Sequence, residues 1–270
     1  MDARVEQIAE LELANYAAAA AIAAVTPGVD VVLRDDVVLS RSTVLPTLDA
    51  NHACLVRTAA ERTDGLITEV ADFFLGTGAH AAIYVSPACT PSDLHDRLLR
   101  RGFGRREEDE AWMVLEGVHE IDLPSPYPGI AVKPVTEHVV QLFAEVFLSA
   151  FDMPTAVAPL MATVLGPSMA LSTVRHYLAW EQERAIGTCS LVRHGGFGIL
   201  GSVAVVRDRR RSGTATNLVV HALTEALERG VDTVMLQTVA DTPLERLLRI
   251  SGFRTVFTRS CYILEDDISG

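Results

Sequence analysis

The chain has 270 residues, 49% of them hydrophobic, and a formal net charge of −12 from 23 basic and 35 acidic side chains. That composition belongs to a globular protein, not a disordered one, and the length allows one large domain or two small ones with ample core. The acidic balance excludes a general nucleic-acid binder, whose phosphate contacts need basic surface, and it suits a cationic partner such as an amine.

The four cysteines, Cys54, Cys89, Cys189 and Cys261, are scattered, with no C-x-x-C pair and no histidine at metal-ligand spacing. No metal site is expected, and Cys54, Cys189 and Cys261 read as small buried hydrophobes in strands. The N-terminus lacks a basic n-region, and the apolar run Ala14–Val25 is too short to span a bilayer. These features predict a cytoplasmic protein with no membrane partner.

In chain order, Asp2 to Val25 is predicted as a helix, from Val5, Ile8, Leu11, Ala14 and Ala18 at helical spacing and the stop Pro27-Gly28. Strands follow at Val29–Leu33, Val37–Leu39 and Ala53–Val56. Glu61–Leu75 is an amphipathic helix closed by Gly76-Thr77-Gly78, and Ala81–Val85 is a strand. A short helix capped by Ser92 or Asp93 ends at Arg101-Gly102, and Ala111–Leu115 is the last strand of this half. Gly117–Gly129 holds Pro124, Pro126 and Pro128, so residues 119–129 are expected to be a semi-rigid linker between domains 1–118 and 130–270.

The second half is expected to open with strand Ile130–Val132. A helix follows from Thr136 to Phe151, broken at Asp152-Met153-Pro154, and then a helix to Leu165-Gly166-Pro167. Thr173–Gln182, Ala185–Val192 and Phe197–Val206 form an antiparallel meander turning at Glu183-Arg184 and His194-Gly195-Gly196. The meander's last strand runs into Arg207, Arg209, Arg210 and Arg211, then into Ser212-Gly213-Thr214-Ala215 and a helix predicted from Thr216. Thr233–Thr238 is a parallel strand, Thr242–Ile250 a helix closed by Gly252, and Thr255–Leu264 the final strand.

The stretch from Ile199 to Leu227 is where chemistry concentrates. A buried strand, a cationic turn of small residues and a helix N-terminus together form a geometry for gripping phosphate. The unpaired N–H groups of the first helical turn and the macrodipole both favour an anion. A Walker P-loop would need a lysine, and the chain's only lysine is Lys133; a dinucleotide fingerprint would need more glycine than Gly213 supplies.

Arg210-Arg211-Ser212-Gly213-Thr214-Ala215 resembles the R/Q-x-x-G-x-G/A pyrophosphate loop of the GNAT superfamily of acyl-CoA N-acyltransferases. The surrounding order β-α-α-β-β-β-loop-α-β-α-β, from Gly129 to Asp266, is similar to that family's, and Ser251-Gly252-Phe253 resembles its late L-G-F signature. The resemblance implies an α/β (α+β) GNAT fold, a mixed central sheet flanked by helices. It implies acetyl-CoA or another acyl-CoA as donor, and an amine of a small molecule or peptide as acceptor. Val203, Ala204 and Val205 would then pair with the pantetheine arm. Arg210, Arg211, Ser212, Gly213, Thr214, Ala215 and Thr216 would hold the pyrophosphate, and Asp241 stands where the family often carries an asparagine.

The two halves also resemble each other. Leu94–Phe103 (LHDRLLRRGF) answers Leu244–Phe253 (LERLLRISGF), and Arg62-Thr63-Asp64-Gly65 echoes Arg210–Gly213. Glu61 and Asp64 place negative charge where a pyrophosphate would sit, so residues 1–118 read as a truncated, degenerate GNAT-like copy in tandem with the working one.

Amine acylation requires a neutral amine held at the thioester and a stabilised leaving thiolate. The family's usual glutamate has no counterpart on Phe197–Val206, and Leu248 fills the position of its usual tyrosine acid. Asp152, His176, Glu181 and Ser202 are the candidate substitutes, against bland readings as helix cap, satisfied strand residues and strand hydroxyl. His221 falls on the polar face of the loop helix and reads as solvated. The alternatives to an acetyl-CoA N-acyltransferase are a non-catalytic acyl-CoA-binding protein and an acyltransferase fed by a carrier-protein phosphopantetheine.

Overall fold

The computed structural model describes residues 3–75 and 78–264. Asp2, the Gly76-Thr77 stop and the end of the resemblance at Asp266 therefore lie outside the described residues. The chain divides into two compact units, 1–113 with 237–270 and 114–236. This division differs from the expected one. The last helix and strand, assigned from sequence to the C-terminal half, belong to the first unit.

The first unit begins with helix α1 (Ala3–Ala23), strands β1 (Val29–Leu33), β2 (Val38–Ser42) and β3 (His52–Cys54), and helix α2 (Ala60–Phe74). Strand β4 (Ala82–Val85), helix α3 (Leu94–Arg100), strand β5 (Phe103–Arg105) and strand β6 (Glu110–Leu115) follow. Its sheet runs β1-β2-β3-β4, then the chain's last strand β12 (Arg254–Leu264), then β6. Strand β12 pairs antiparallel with β4 through Ser260–Ile263 and with β5 through Tyr262–Leu264, and these ladders bring the C-terminal strand here. On α2, Leu66, Ile67, Val70 and Phe74 recur at helical spacing and pack on Val37, Leu39 and Ile83 with Leu94 and Leu98 of α3. Each such fully buried side chain contributes roughly 1.5–3 kcal/mol. Asp93 precedes α3 without a side-chain cap, because its carboxylate accepts from Arg97 instead.

A buried polar cluster also joins the ends of this unit. Arg259 on β12 donates to Glu12 of α1 at 3.4 Å, to Tyr16 Oη at 3.0 Å and to Glu110 of β6 at 3.0 Å, and stacks 4.0 Å over the Tyr84 ring. Glu12 accepts a second bond from Ser86 at 2.6 Å. The cluster supplies partners for a carboxylate that is wholly buried.

The second unit contains β7 (Ile130–Pro134), α4 (Val140–Ala150), α5 (Ala158–Ser168), β8 (Val174–Glu181), β9 (Arg184–His194), β10 (Phe197–Val205) and α6 (Thr214–Glu228). Strand β11 (Thr233–Val239) starts in it and leads to α7 (Pro243–Ile250) of the first unit. The sheet order is β11-β10-β9-β8-β7, antiparallel except for the parallel β10–β11 pair. The expected meander and parallel strand are present. A 3-10 turn, Glu137–Val139, replaces the expected first turn of α4, and Thr136 makes no side-chain cap. Helix α5 runs through Gly166 and Pro167 to Ser168, past its expected stop.

Adjacent residues of β8 show which helices cover which face. His176 packs against Phe143 of α4 and bonds Ser168 of α5, whereas Tyr177 bonds Glu225 and meets His221 edge-on, both on α6. Successive strand side chains point to opposite faces, so α4 and α5 cover one side of this sheet and α6 the other. His221, expected to be solvated, is half-buried against that ring.

Candidate active site

The site is built on the end of β10. Gly201 lies opposite Ser190 and Ala204 opposite Thr188, so Ser202 and Val203 together face only Cys189: a bulge. Ser202 adopts a left-handed φ of 51°, and Thr188 Oγ1 donates to its carbonyl at 2.7 Å, which pins the distortion. A bulge bends its strand and re-aims its peptide groups. Parallel pairing of β10 with β11 covers only Phe197–Ile199, so from Leu200 to Val205 that edge of β10 has no partner in β11. The backbone groups of this stretch that do not bond β9 face that unpaired edge, where an extended ligand can pair.

The arginine loop follows. Arg207–Arg209 form a 3-10 turn, Ser212 Oγ donates to the Arg209 carbonyl at 2.7 Å, and Arg211 and Gly213 take left-handed φ of 67° and 88°. Gly213 caps α6 without any side-chain bond, and α6 begins at Thr214, two residues before the expected start. The N–H groups of Ser212 to Thr216 donate to no acceptor among the described residues. This is a run of free donors at the positive end of a 15-residue helix, an arrangement suited to an anion.

The four arginines have different partners. Arg207 pairs with Asp152 at 3.3 Å and Arg209 with Glu181 at 2.8 Å. Arg210 donates instead to the carbonyl of Ala150 at the C-terminal end of α4, 2.7 Å away. Neither Arg210 nor Arg211 pairs with a carboxylate among the described residues, so the two cations of the motif are the ones available to an anion. Asp208, between the pairs, is held below the usual carboxylate range by the Arg184 guanidinium bonded to it.

The neighbourhood of Gly213 contains a residue that sequence reasoning missed. A Cβ at Gly213 would collide with the ring of Tyr127, which lies on the loop at half exposure. Buried Asn217, one turn into α6, fixes that segment, accepting from Tyr127 N–H at 2.7 Å and donating to the Tyr127 and Ile130 carbonyls. The proline-rich stretch thus ends tethered against Gly213 of the arginine loop.

The sequence candidates are not brought together. Asp152 and Glu181 are engaged by loop arginines, and Ser202 is committed through its backbone to the bulge. His176 is buried on the α4–α5 face, its ring bonded to Ser168 at 3.1 Å and Ser190 at 2.7 Å, and burial lowers its pKa to about 4. Asp241 belongs to the first unit, where its N–H donates to Glu245 at 2.7 Å. Leu248 is buried in α7.

An open cleft of about 290 Å³ lies between α4 and the ends of β9 and β10, lined by Glu145, Ser149, Thr155, Arg184 and Val206 among others. Its polar groups suit a hydrophilic ligand, but Arg184 is already clamped on Asp208, and the free donors of the loop are not among its lining residues.

The echo of this loop in the first unit is closed. Arg62 is paired with Asp36 at 3.1 Å and Glu69 at 3.5 Å. Strands β3 and β4 pair in parallel only at Ala53 and Ile83, and beyond them Thr90 N–H donates to the Val56 carbonyl at 2.8 Å. The chain itself fills the gap that stays open in the second unit. Helices α3 and α7, the other echoing pair, both end at a left-handed glycine, Gly102 and Gly252, before a strand.

Residues 147–253 match the family model described as Acetyltransferase (GNAT) family, and the chain has the GNAT fold, a mixed sheet flanked by helices. A GCN5-related N-acetyltransferase from Kribbella flavida superposes with a TM-score of 0.68 at 15% identity, covering 96% of both chains. A tandem GNAT protein from the clavulanic acid biosynthesis pathway gives 0.61 at 15% identity, covering 91% of this chain and 86% of that one. A GCN5-related N-acetyltransferase from Sphaerobacter thermophilus gives 0.59 at 18% identity over 88% and 83%. No curated protein matches in sequence. Among the described residues, no helix is long and apolar enough to cross a membrane.

Proposed function

We propose that this protein is an acyl-CoA-dependent N-acyltransferase, moving an acetyl or other small acyl group to an amine of a small molecule or peptide. The observation that carries the reading is the row of unpaired N–H groups from Ser212 to Thr216 beside Arg210 and Arg211. A diphosphate fits it. The donors and the two cations lie on one short segment, Gly213 puts no side chain at the turn, and no carboxylate among the described residues pairs with either arginine. Val203, Ala204 and Val205 would pair with the pantetheine amides, and a bulge N–H would polarise the acyl carbonyl as oxyanion donors do. We place the first unit's echo in a non-binding role, because Arg62 is already paired and its strand gap is closed.

The bound amine must lose a proton, and neither β10 nor Leu248 supplies a titrating group. Positioning alone can contribute on the order of 7–11 kcal/mol in well-oriented cases. A second reading, acyl-CoA binding without turnover, draws on those same empty positions, and a carrier-protein donor would make the diphosphate grip superfluous. Calorimetry with acetyl-CoA and an acetylation assay over an amine panel separate the three. Binding with turnover supports the enzyme, binding alone the second reading, and no binding overturns the donor assignment.

A further inference from the structure

One polar row in the second unit has no part in gripping an acyl-CoA. His176 of β8 lies opposite Ser190 of β9, and Ser190 lies opposite Gly201 of β10. Directly opposed residues of antiparallel strands share a face, here the face covered by Phe143 and Ser168. The Ser168 hydroxyl donates its single proton to the Leu165 carbonyl at 2.7 Å, so it accepts from His176 Nε2 at 3.1 Å. The imidazole is then the Nε2–H tautomer, its Nδ1 lone pair accepting from Ser190 Oγ at 2.7 Å. The oxygen lone pairs of Ser190 meet no donor among the described residues. Next in the row is open space, because a Cβ built on Gly201 meets nothing within 4 Å. Opposed Cα atoms lie about 5 Å apart, so Ser190, itself buried with its hydroxyl on His176, is the residue next to that space. The following residue, Ser202, opens the bulge.

We infer that an acceptor amine occupies the space over Gly201 and gives up its proton through Ser190 to His176. The inference rests on the acyl-CoA reading and deepens it by supplying the proton acceptor that β10 lacks. As the amine nitrogen bonds to the thioester carbon, its N–H becomes acidic. That proton passes to Ser190 Oγ while the Ser190 proton passes to His176 Nδ1. The C–S bond then breaks with its electron pair on sulfur, the thiolate takes a proton from water, and His176 returns its proton to water along the same two bonds. Amine and thioester thus give amide and free thiol. Burial, with no charged group perturbing it, keeps His176 neutral and its Nδ1 open at neutral pH. Ser190 touches the substrate in this scheme, and His176 acts through it.

The test uses the full chain, acetyl-CoA as donor, and phenethylamine, spermidine and glycinamide as acceptors. Ser190→Ala should lower kcat by about 100-fold or more while CoA affinity by calorimetry and Tm stay near wild type, and Ser190→Thr should restore most of the rate. Gly201→Val, which has room and no left-handed φ, should fold normally and bind CoA but raise KM for the amine about tenfold or more, by filling a pocket it would otherwise enter. A Ser190→Ala protein with kcat within about threefold of wild type, far below what a general acid–base group contributes, overturns the inference. So does a wild type that binds CoA yet acetylates none of the three amines, and that result leaves the donor assignment standing. A wild type that binds no CoA overturns both.

Discussion

Asn217 holds Tyr127 by both of its backbone groups, accepting the N–H at 2.7 Å and donating to the carbonyl at 3.0 Å. A buried amide that satisfies three main-chain groups, at Tyr127 and Ile130, fixes where the proline-rich segment ends, and it ends against Gly213 of the arginine loop. Asn217→Ala leaves those groups unpaired and should cost about 1–3 kcal/mol. Urea unfolding measures this, and an unchanged midpoint would show that the clamp is dispensable.

The ring of Tyr127 accounts for Gly213 as much as any ligand does. Gly213→Ala forces a left-handed alanine against that ring and should destabilise by roughly 1–3 kcal/mol. In a Tyr127→Ala background the steric part of the cost should disappear and only the backbone strain remain. Thermal unfolding of the two single variants and the double variant checks this, with additivity as the contrary result.

Two buried histidines make stability depend on pH. Burial lowers His176 to about 4 and His52, which is also repelled by Arg259, to about 3, against an ordinary 6.5. The unfolded chain therefore binds these protons first as the medium acidifies. Their contribution is intact above about pH 6.5 and is lost as pH falls toward 4 and then 3, by roughly 1.4 kcal/mol per unit of separation for each group. Chemical unfolding across this range should show the fall, and His176→Gln should make it shallower. An equal slope in that variant would contradict the assignment.

Arg259 supports two carboxylates in the first unit, one of them wholly buried. Arg259→Met should cost about 3–5 kcal/mol, because Glu12 loses its cation while staying buried. Joint replacement of Glu12 by Gln and Arg259 by Met should recover part of that loss. Denaturant melts of the set test the coupling, and a double variant no better than Arg259→Met argues against it.

Much of this architecture is legible in the sequence. The strand-loop-helix around Arg210–Ala215 is readable because a β-branched run, small residues and helical spacing follow one another without ambiguity. What is not legible depends on register and long-range pairing. That β12 joins β4 and β5, and so leaves the half it follows in sequence, cannot be read from Arg254–Leu264 alone, since its pattern fits any buried sheet. Three-residue β5 is too short to carry a periodic signal. Asp152 and Glu181 look like free carboxylates until the fold brings Arg207 and Arg209 to them. Ser190 gains meaning only once alignment of β8, β9 and β10 places it between His176 and Gly201.

The central claim is that one diphosphate grip exists and that it is the loop from Arg210 to Thr216. Calorimetric titration of CoA into the wild type, Arg210→Glu, Arg211→Glu and Arg62→Glu proteins tests it most directly. The account predicts one site per chain in the wild type, binding weakened by about tenfold or more in each loop variant through lost charge-assisted bonds, and wild-type affinity in Arg62→Glu. Two sites per chain, no heat of binding, or loss of binding in Arg62→Glu with retention in the loop variants would contradict it.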